Sequence, residues 1–169
     1  DYPDQWEVTM VDTGENTLKG GRLKRVEKYI EDDIFMMTYG DGIGDINIPE
    51  LLVFHKSHGK MVTVTGVHST SRFGEIHREG SKVISFTEKP ADNNNLINGG
   101  FFVFNMALFK FLAVAKWCYL EVGPLELLAA KRALLVYHHK GQWKCLDTLR
   151  NMEELQQIWE KGEARWKVG

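Results

Sequence analysis

The sequence predicts an α/β fold with a mainly parallel sheet, and two observations carry that prediction. The stretch 35–39 (FMMTY) is short and uncharged and is closed by Gly40-Asp41-Gly42, which is typical of a strand buried on both faces of a parallel sheet. A helical stretch and a β-branched run at 61–67 (MVTVTGV) follow, and this order indicates a strand-helix-strand unit with a right-handed crossover. Asp41 lies where the carboxyl end of this central strand is expected, and ligands of open α/β sheets bind beyond such ends.

Size and composition narrow the class of protein. The 169 residues fit one domain that can bury roughly 70% of its unfolded surface. A net charge of −2 with scattered Lys and Arg gives no electrostatic footprint for nucleic acid, and no apolar run is long enough to span a bilayer. We therefore expect neither nucleic acid nor membrane as a partner. Cys118 and Cys145 lack CxxC or zinc-site spacing, so we expect buried, reduced thiols and a cytoplasmic protein.

The first half of the chain shows alternating strand and helix signals. Residues 6–11 alternate as in a strand, and Gly20-Gly21 begins a short helix with apolar residues at helical spacing. The bases of that helix are interpreted as a solvated face rather than as a ligand contact. Pro49 with an acid beside it predicts the start of a second helix, which ends at Gly59.

The second half begins with a hairpin and closes with a helix. The hairpin is predicted for 75–78 and 82–86 around a glycine turn. The last helix is predicted to be capped by Asn151. Between them we predict strand, helix, helix and strand at 101–104, 106–115, 124–133 and 134–139.

Asp41 and Asp147 are the first candidates for chemistry. Each ends a strand-like run and is followed by a small residue. Two carboxylates that meet at one sheet edge suit Mg²⁺, which takes oxygen ligands and keeps positions open for phosphates. Either acid alone is more often a turn residue or a helix cap. Gly40, Gly42 and Gly44 do not match a dinucleotide fingerprint, because GxGxxG starting at Gly40 would need glycine where Asp45 stands.

Two further segments carry weaker signals. Glu88-Lys89-Pro90 places an acceptor for hydroxyls beside a cation for phosphate, although a surface ion pair explains it equally well. Asn98-Gly99-Gly100 could expose backbone amides to a ligand, with a plain turn as the simpler interpretation. His138 and His139 are adjacent and face opposite sides of a strand, which favours a structural role.

The ordered set of motifs resembles the sugar-phosphate nucleotidyltransferases over nearly the whole chain. These motifs are VDTG, GGRLKRV, TYGDG, FHKSHGK, RFG, EKP, INGGFFVF, PLELLA, LDTLRN and WEKGxxxWK. The resemblance implies a Rossmann-like nucleotide-diphospho-sugar transferase core with three αβα layers and a small β-hairpin insertion. It implies one partial domain, with a core over 1–150 and a C-terminal helical segment over 151–169.

The chemistry that the resemblance implies is the transfer of a cytidylyl group. CTP and α-D-glucose 1-phosphate would give CDP-glucose and pyrophosphate with Mg²⁺ as cofactor, in a homo-oligomer. The implied catalytic set is Asp41, Lys89 and Asp147, with both acids on the metal and the lysine on the sugar phosphate. The implied substrate-binding set is Gly20 and Gly21 beside the base, Gly74, Asn98 and Gly99 in the sugar pocket, and Glu88 on the glucose hydroxyls.

Departures from the family pattern keep other functions open. The family's GxGTRL loop and PKP lysine have no counterpart in the printed residues, so we expect an N-terminally truncated core with an exposed sheet edge. Gln142, Lys144 and Arg165 also differ from the pattern. The alternative is a catalytically inactive truncated homologue that binds sugar nucleotide or only self-associates. A metal-dependent glycosyltransferase is weaker, because Asp41 and Asp45 are four apart rather than two.

Overall fold

The computed structural model describes residues 7–68, 75–87 and 96–167. The α-helices are α1 (Lys19–Val26), α2 (Ile48–His58), α3 (Glu126–Ala130) and α4 (Leu149–Glu160). The strands are β1 (Ile34–Met37), β2 (Gly42–Gly44), β3 (Val62–His68), β4 (Glu75–Glu79), β5 (Lys82–Thr87), β6 (Leu96–Asn105), β7 (Leu134–His139) and β8 (Trp143–Cys145). Shorter helical turns span Glu27–Tyr29, Met106–Phe111 and Glu121–Leu125.

A four-stranded sheet in the order β1-β6-β3-β7 forms the centre of the fold. The strand β6 runs antiparallel to both of its neighbours, and β7 runs parallel to β3. Therefore β1, β3 and β7 share one direction, and their carboxyl ends meet at one edge of the sheet. The mainly parallel α/β sheet predicted from the sequence is confirmed.

The alternation of side chains along β6 divides the core between the two faces of the sheet. Phe102 and Phe104 are fully buried on one face, where α1, the 106–111 turn and α3 cover them. Val103 points to the other face and packs with Leu51 of α2 and with Ile46. Because successive strand residues face opposite sides, one strand supplies both cores. The three-layer αβα arrangement follows directly.

Two small antiparallel pairs flank the main sheet. The pair β4–β5 is the predicted hairpin, with Gly80 at a positive φ of 56° in its turn. The pair β2–β8 joins the segment after β1 to the segment before α4. This second pair positions the candidate site.

The prediction for β1 as a strand buried on both faces is wrong. It forms an edge of the four-stranded sheet and pairs only with β6 among the described strands. No residue of β1 is fully buried, and Met36 is 38% exposed. An uncharged run can occupy an edge as well as a centre, because composition reports hydrophobicity and not the number of neighbours.

Four other predicted features differ from the structure. Residues 7–11 form no strand, and Val8 and Met10 are exposed, since alternation alone provides no pairing partner. The helices expected at 106–115 and 124–133 shorten to Met106–Phe111 and to α3, which follows Pro124. The cap of α4 is Thr148, whose hydroxyl accepts from the Asn151 N–H, rather than Asn151 itself.

Among the helices in the described ranges, none combines the length and the apolar character needed to cross a membrane.

Candidate active site

The β2–β8 ladder determines where Asp41 lies. Gly42 pairs with Cys145, and the Leu146 N–H donates to the Asp41 carbonyl oxygen at 2.8 Å. The backbone of Asp41 is therefore held opposite Leu146, between Cys145 and Asp147 in the partner segment. Two acids that are more than a hundred residues apart in the sequence become neighbours through this short ladder.

One ligand atom each from Asp41, Cys145 and Asp147 lies within 4.8 Å of the other two. Both acids are exposed and the cysteine is partly exposed. A cation bound at about 2.1 Å from two oxygens holds them at most about 4.2 Å apart, so small side-chain rotations close the difference. The oxygen-rich donor set fits a divalent metal ion. The structure thus brings together the two acids singled out in the sequence.

A partly buried hydrogen-bond network lies near Asp41. The Tyr39 hydroxyl donates to the Glu121 carboxylate, which also forms an ion pair with Lys19. Lys19 extends over the Tyr39 ring at 4.4 Å from its centroid. Burial, followed by the hydrogen bond to Glu121, raises the pKa of Tyr39 well above its ordinary value. Tyr39 is therefore a fixed hydrogen-bond donor at neutral pH.

The charge of Glu121 depends on that network. Burial favours its protonated form, but the hydrogen bonds from Lys19 and Tyr39 outweigh burial and lower the pKa of Glu121 below its usual value. Glu121 therefore remains an anion at neutral pH. Its two partners come from α1 and from the segment after β1, so the network ties three parts of the chain together behind the acids.

The Asn98-Gly99-Gly100 segment lies in the first half of β6, beside this network. Asn98 accepts from the Gly100 N–H at 2.9 Å and donates weakly to the Tyr39 hydroxyl at 3.4 Å. The Trp143 indole donates to the Gly99 carbonyl at 3.0 Å. A Cβ at Gly99 would lie 2.8 Å from Val67, and one at Gly100, whose φ is +80°, would lie 2.7 Å from Tyr39. Both glycines are required by close packing.

Two open pockets border these residues. The larger, of about 680 Å³, extends from α1 along β1 to Asp41 and falls in the usual size range of small-molecule sites. Lys19, Arg22 and Tyr39 are among its lining residues. The smaller, of about 250 Å³, is lined by Asn98, Glu121 and other residues. The Tyr39–Glu121–Asn98 contacts thus separate two spaces that small ligands could occupy.

Gly20 and Gly21 pack inward in α1. A Cβ at Gly20 would lie 2.3 Å from the Tyr119 carbonyl oxygen, and one at Gly21 would lie 2.6 Å from the Ala115 carbonyl oxygen. These contacts with the 115–119 segment require glycine at both positions. A contact of this pair with a nucleotide base remains a prediction.

Three of the residues singled out in the sequence, Gly74, Glu88 and Lys89, lie outside the described residues. Their roles remain predictions.

Sequence reasoning missed the position of Cys145 and the partnership of Tyr39 with Glu121. The prediction that both cysteines are buried is wrong, because both are partly exposed, whereas the predicted absence of a disulfide agrees with the structure. A usable signal existed for Cys145, since it stands two residues before Asp147 and strand residues two apart share a face. No local signal points from Tyr39 to Glu121, which is 82 residues away.

Comparisons with known proteins relate the chain to one family. The family model described as nucleotidyl transferase matches residues 5–148. A glucose-1-phosphate cytidylyltransferase of Salmonella typhi is 43% identical over 96% of this chain and 63% of its own length. A probable glucose-1-phosphate cytidylyltransferase of Bacillus subtilis is 38% identical over 98% of this chain and 65% of its own length. The chain therefore spans somewhat less than two thirds of these relatives.

Solved structures share the fold at low identity. The HddC protein of Yersinia pseudotuberculosis superposes with a TM-score of 0.61 at 17% identity, over 86% of this chain and 64% of HddC. A putative glucose-1-phosphate thymidylyltransferase of Bacillus anthracis gives a TM-score of 0.61 at 17% identity, over 95% of this chain and 65% of its own. With the match of the family model over most of the sequence, these findings establish that the chain belongs to the nucleotidyl transferase family.

Proposed function

We propose that the protein transfers a cytidylyl group from CTP to α-D-glucose 1-phosphate, which gives CDP-glucose and pyrophosphate. The observation that carries the proposal is the approach of Asp41 and Asp147 to within 4.8 Å at the end of the larger pocket. The choice of CTP and glucose 1-phosphate is supported by the names of the Salmonella and Bacillus relatives. In this reaction an oxygen of the sugar phosphate bonds to the α-phosphorus of CTP, and the bond from that phosphorus to the departing pyrophosphate breaks.

Asp41 and Asp147 would hold Mg²⁺ for this reaction. The bound ion would neutralise phosphate charge and orient the triphosphate. The contribution of the chain is to keep the two carboxylates together, through the Leu146 N–H that anchors Asp41 and the ladder that anchors the segment before Asp147. Because no side chain has to become covalently attached, positioning and charge account for most of the rate.

The remaining roles are assigned by resemblance and by position. Lys89 would contact the sugar phosphate and Glu88 the glucose hydroxyls, with Gly74 in the same pocket. Asn98 lines the smaller pocket, which supports a place for the sugar there, and Gly99 is assigned to the sugar pocket by resemblance alone. Gly20 and Gly21 would lie beside the nucleotide base.

The protein is further proposed to act as a homo-oligomer in a reducing compartment, the cytoplasm. Three large apolar side chains, Val114, Trp117 and Val122, are 60–70% exposed in the segment before α3, which supports self-association there. Both cysteines are free of disulfides. Light scattering of the purified protein measures the assembly, and a monomeric mass at working concentration would contradict it.

The function is tested by following CDP-glucose formation in the intact protein with CTP, glucose 1-phosphate and Mg²⁺. Asp41→Asn should lower turnover by roughly 10²–10³-fold or more, in line with the loss of a group that stabilises developing charge. Asp32→Asn, which neutralises another exposed acid just before β1, is the matched control and should retain turnover. Absence of CDP-glucose with the unmodified protein, or full activity of Asp41→Asn, would refute the assignment.

A further inference from the structure

We propose that Cys145 is a third ligand of the acid–thiol cluster (Asp41, Cys145 and Asp147), and that it opens the cation site to thiophilic divalent ions such as Zn²⁺, Co²⁺ and Cd²⁺. The inference rests on the proposed function, since it concerns the same cation site. It adds a specificity that neither the acid pair nor family membership provides.

The backbone fixes Cys145 toward the two acids. Cys145 is the last residue of β8 and pairs with Gly42, the residue that follows Asp41. Asp147 comes two positions later, between β8 and α4. The Sγ atom accordingly lies within 4.8 Å of a carboxylate oxygen of each acid.

The distances suit a shared ion. In a tetrahedral site with bonds of about 2.3 Å to sulfur and 2.1 Å to oxygen, the sulfur and oxygen ligands lie roughly 3.6 Å apart. The remaining gap, at most about 1.2 Å, is within the reach of a χ1 rotation of the two acids, whose side chains are exposed. Cys145 itself need not move, because the β2–β8 ladder holds its backbone.

The ligand atoms determine which cations bind more tightly. Mg²⁺ prefers oxygen ligands and gains little binding affinity from a thiolate, whereas Zn²⁺, Co²⁺ and Cd²⁺ bind sulfur well. Two carboxylates with one thiolate therefore favour the softer ions over Mg²⁺ more strongly than two carboxylates alone. Consequently, a low concentration of a thiophilic ion should displace Mg²⁺ from this protein.

The test is a Cd²⁺ titration of the intact protein, followed through the ultraviolet charge-transfer band of a cadmium–thiolate bond. Mn²⁺ binding is measured in parallel by water-proton relaxation. The variants are Cys145→Ser, Asp41→Asn and the matched control Cys118→Ser. Cys118 is the second partly exposed thiol, and its Sγ contacts the Tyr119 carbonyl oxygen rather than the two acids.

The expected result separates the two cysteines. The unmodified protein and Cys118→Ser should give the band at one Cd²⁺ per chain. Cys145→Ser should lose the band and at least about tenfold in Cd²⁺ affinity, while its Mn²⁺ affinity falls far less. Asp41→Asn should weaken the binding of both Cd²⁺ and Mn²⁺. A band that persists in Cys145→Ser, disappears in Cys118→Ser or never forms would overturn the inference.

The Mn²⁺ measurement distinguishes this inference from the proposed function. If Mn²⁺ binds and depends on Asp41 while no cadmium–thiolate band forms, only the role of Cys145 fails. If Mn²⁺ does not bind, or binds equally well to Asp41→Asn, the cation site fails, and the proposed function and this inference fail together.

Discussion

The acid–thiol cluster beyond β1 and a histidine cluster at the amino end of β3 gather polar side chains in opposite ways. In the acid–thiol cluster, Asp41 and Asp147 carry charge of the same sign and are exposed to solvent beside a thiol. In the histidine cluster, which comprises His55, His58 and Thr63, two imidazoles converge on one hydroxyl that is fully buried. The first cluster concentrates negative charge, and the second consists of neutral groups that hydrogen-bond to one another.

The hydrogen bonds of the histidine cluster run in one direction. The Lys60 N–H donates to His58 Nδ1 at 2.9 Å, so the neutral ring carries its proton on Nε2 and donates to the Thr63 hydroxyl at 2.8 Å. Thr63 then donates to His55 Nδ1 at 2.8 Å. His55 also hydrogen-bonds the Asn105 side chain, whose amide donates to the Lys60 carbonyl at 2.9 Å. The chain of bonds begins and ends at Lys60.

This difference separates groups that suit a ligand from groups that hold the fold together. Like charges held close together repel and destabilise the folded state unless a cation joins them. A buried network whose members are all hydrogen-bonded requires no cation. This one joins α2, β3 and β6 at the amino end of β3, away from Asp41. Substitutions at the acid–thiol cluster should therefore change binding and spare stability, whereas substitutions at the histidine cluster should do the reverse.

The largest expected effect is at Asp147. Asp147→Asn should lower Mn²⁺ affinity at least about tenfold, by loss of a ligand, and CDP-glucose formation by roughly 10²–10³-fold. Because the amide also removes like-charge repulsion, the free energy of unfolding should stay within about 0.5 kcal/mol of its original value or rise. Water-proton relaxation measures the Mn²⁺ affinity, and urea unfolding measures the free energy of unfolding. Loss of stability alongside unchanged Mn²⁺ binding would assign Asp147 to the fold instead.

Thr63 offers the converse test. Thr63→Val removes the hydroxyl that accepts from His58 and donates to His55, and should lower the free energy of unfolding by about 1–3 kcal/mol. Mn²⁺ affinity should not change.

The matched control for this test is Thr65→Val. Thr65 lies two residues along β3 on the same face and is equally buried, but its hydroxyl has no hydrogen-bond partner among the described residues. The same substitution there should be neutral or slightly stabilising in urea unfolding. Equal losses at both positions would show that the hydrogen bonds of the histidine cluster contribute nothing particular.

How far the sequence reveals these two clusters depends on the range of the interactions. The β-branched run at 61–67 and the Pro49 signal predict β3 and α2 correctly, because burial and capping are local properties. The acid pair can be predicted from the sequence, because both acids follow strand-like runs. The edge position of β1 cannot be predicted in this way, since the number of strands beside it depends on the whole topology.

The same limit applies to individual side chains. The contact of Thr63 with His58 spans five residues, yet spacing alone does not show that the hydroxyl is buried between two rings. The Tyr39–Glu121 bond joins positions 82 residues apart. In both cases tertiary packing determines the partner, and no local pattern encodes it. The ends of strands predict where ligands bind, whereas side-chain networks of this kind are seen only in the three-dimensional structure.

The smallest expected effect is the pH dependence of the histidine cluster. Burial lowers the pKa of His55, and the neighbouring His58 lowers it further; burial and the charge of Lys60 lower the pKa of His58. The unfolded chain takes up these protons near pH 6.5, about the ordinary value for histidine, and the folded protein only at lower pH. As pH falls below about 6.5, the unfolded state binds more protons, so the free energy of unfolding decreases. The stabilisation from the two neutral histidines is fully present above that pH, and below it the free energy of unfolding falls by at most about 1.4 kcal/mol per pH unit for each histidine.

In His58→Gln this slope should be reduced to that of His55 alone, as measured by urea unfolding from pH 7.5 to 5.5. Parallel pH profiles for the variant and the unmodified protein would mean that His58 titrates alike in both states, and the contrast between the two clusters would then rest on hydrogen bonding alone.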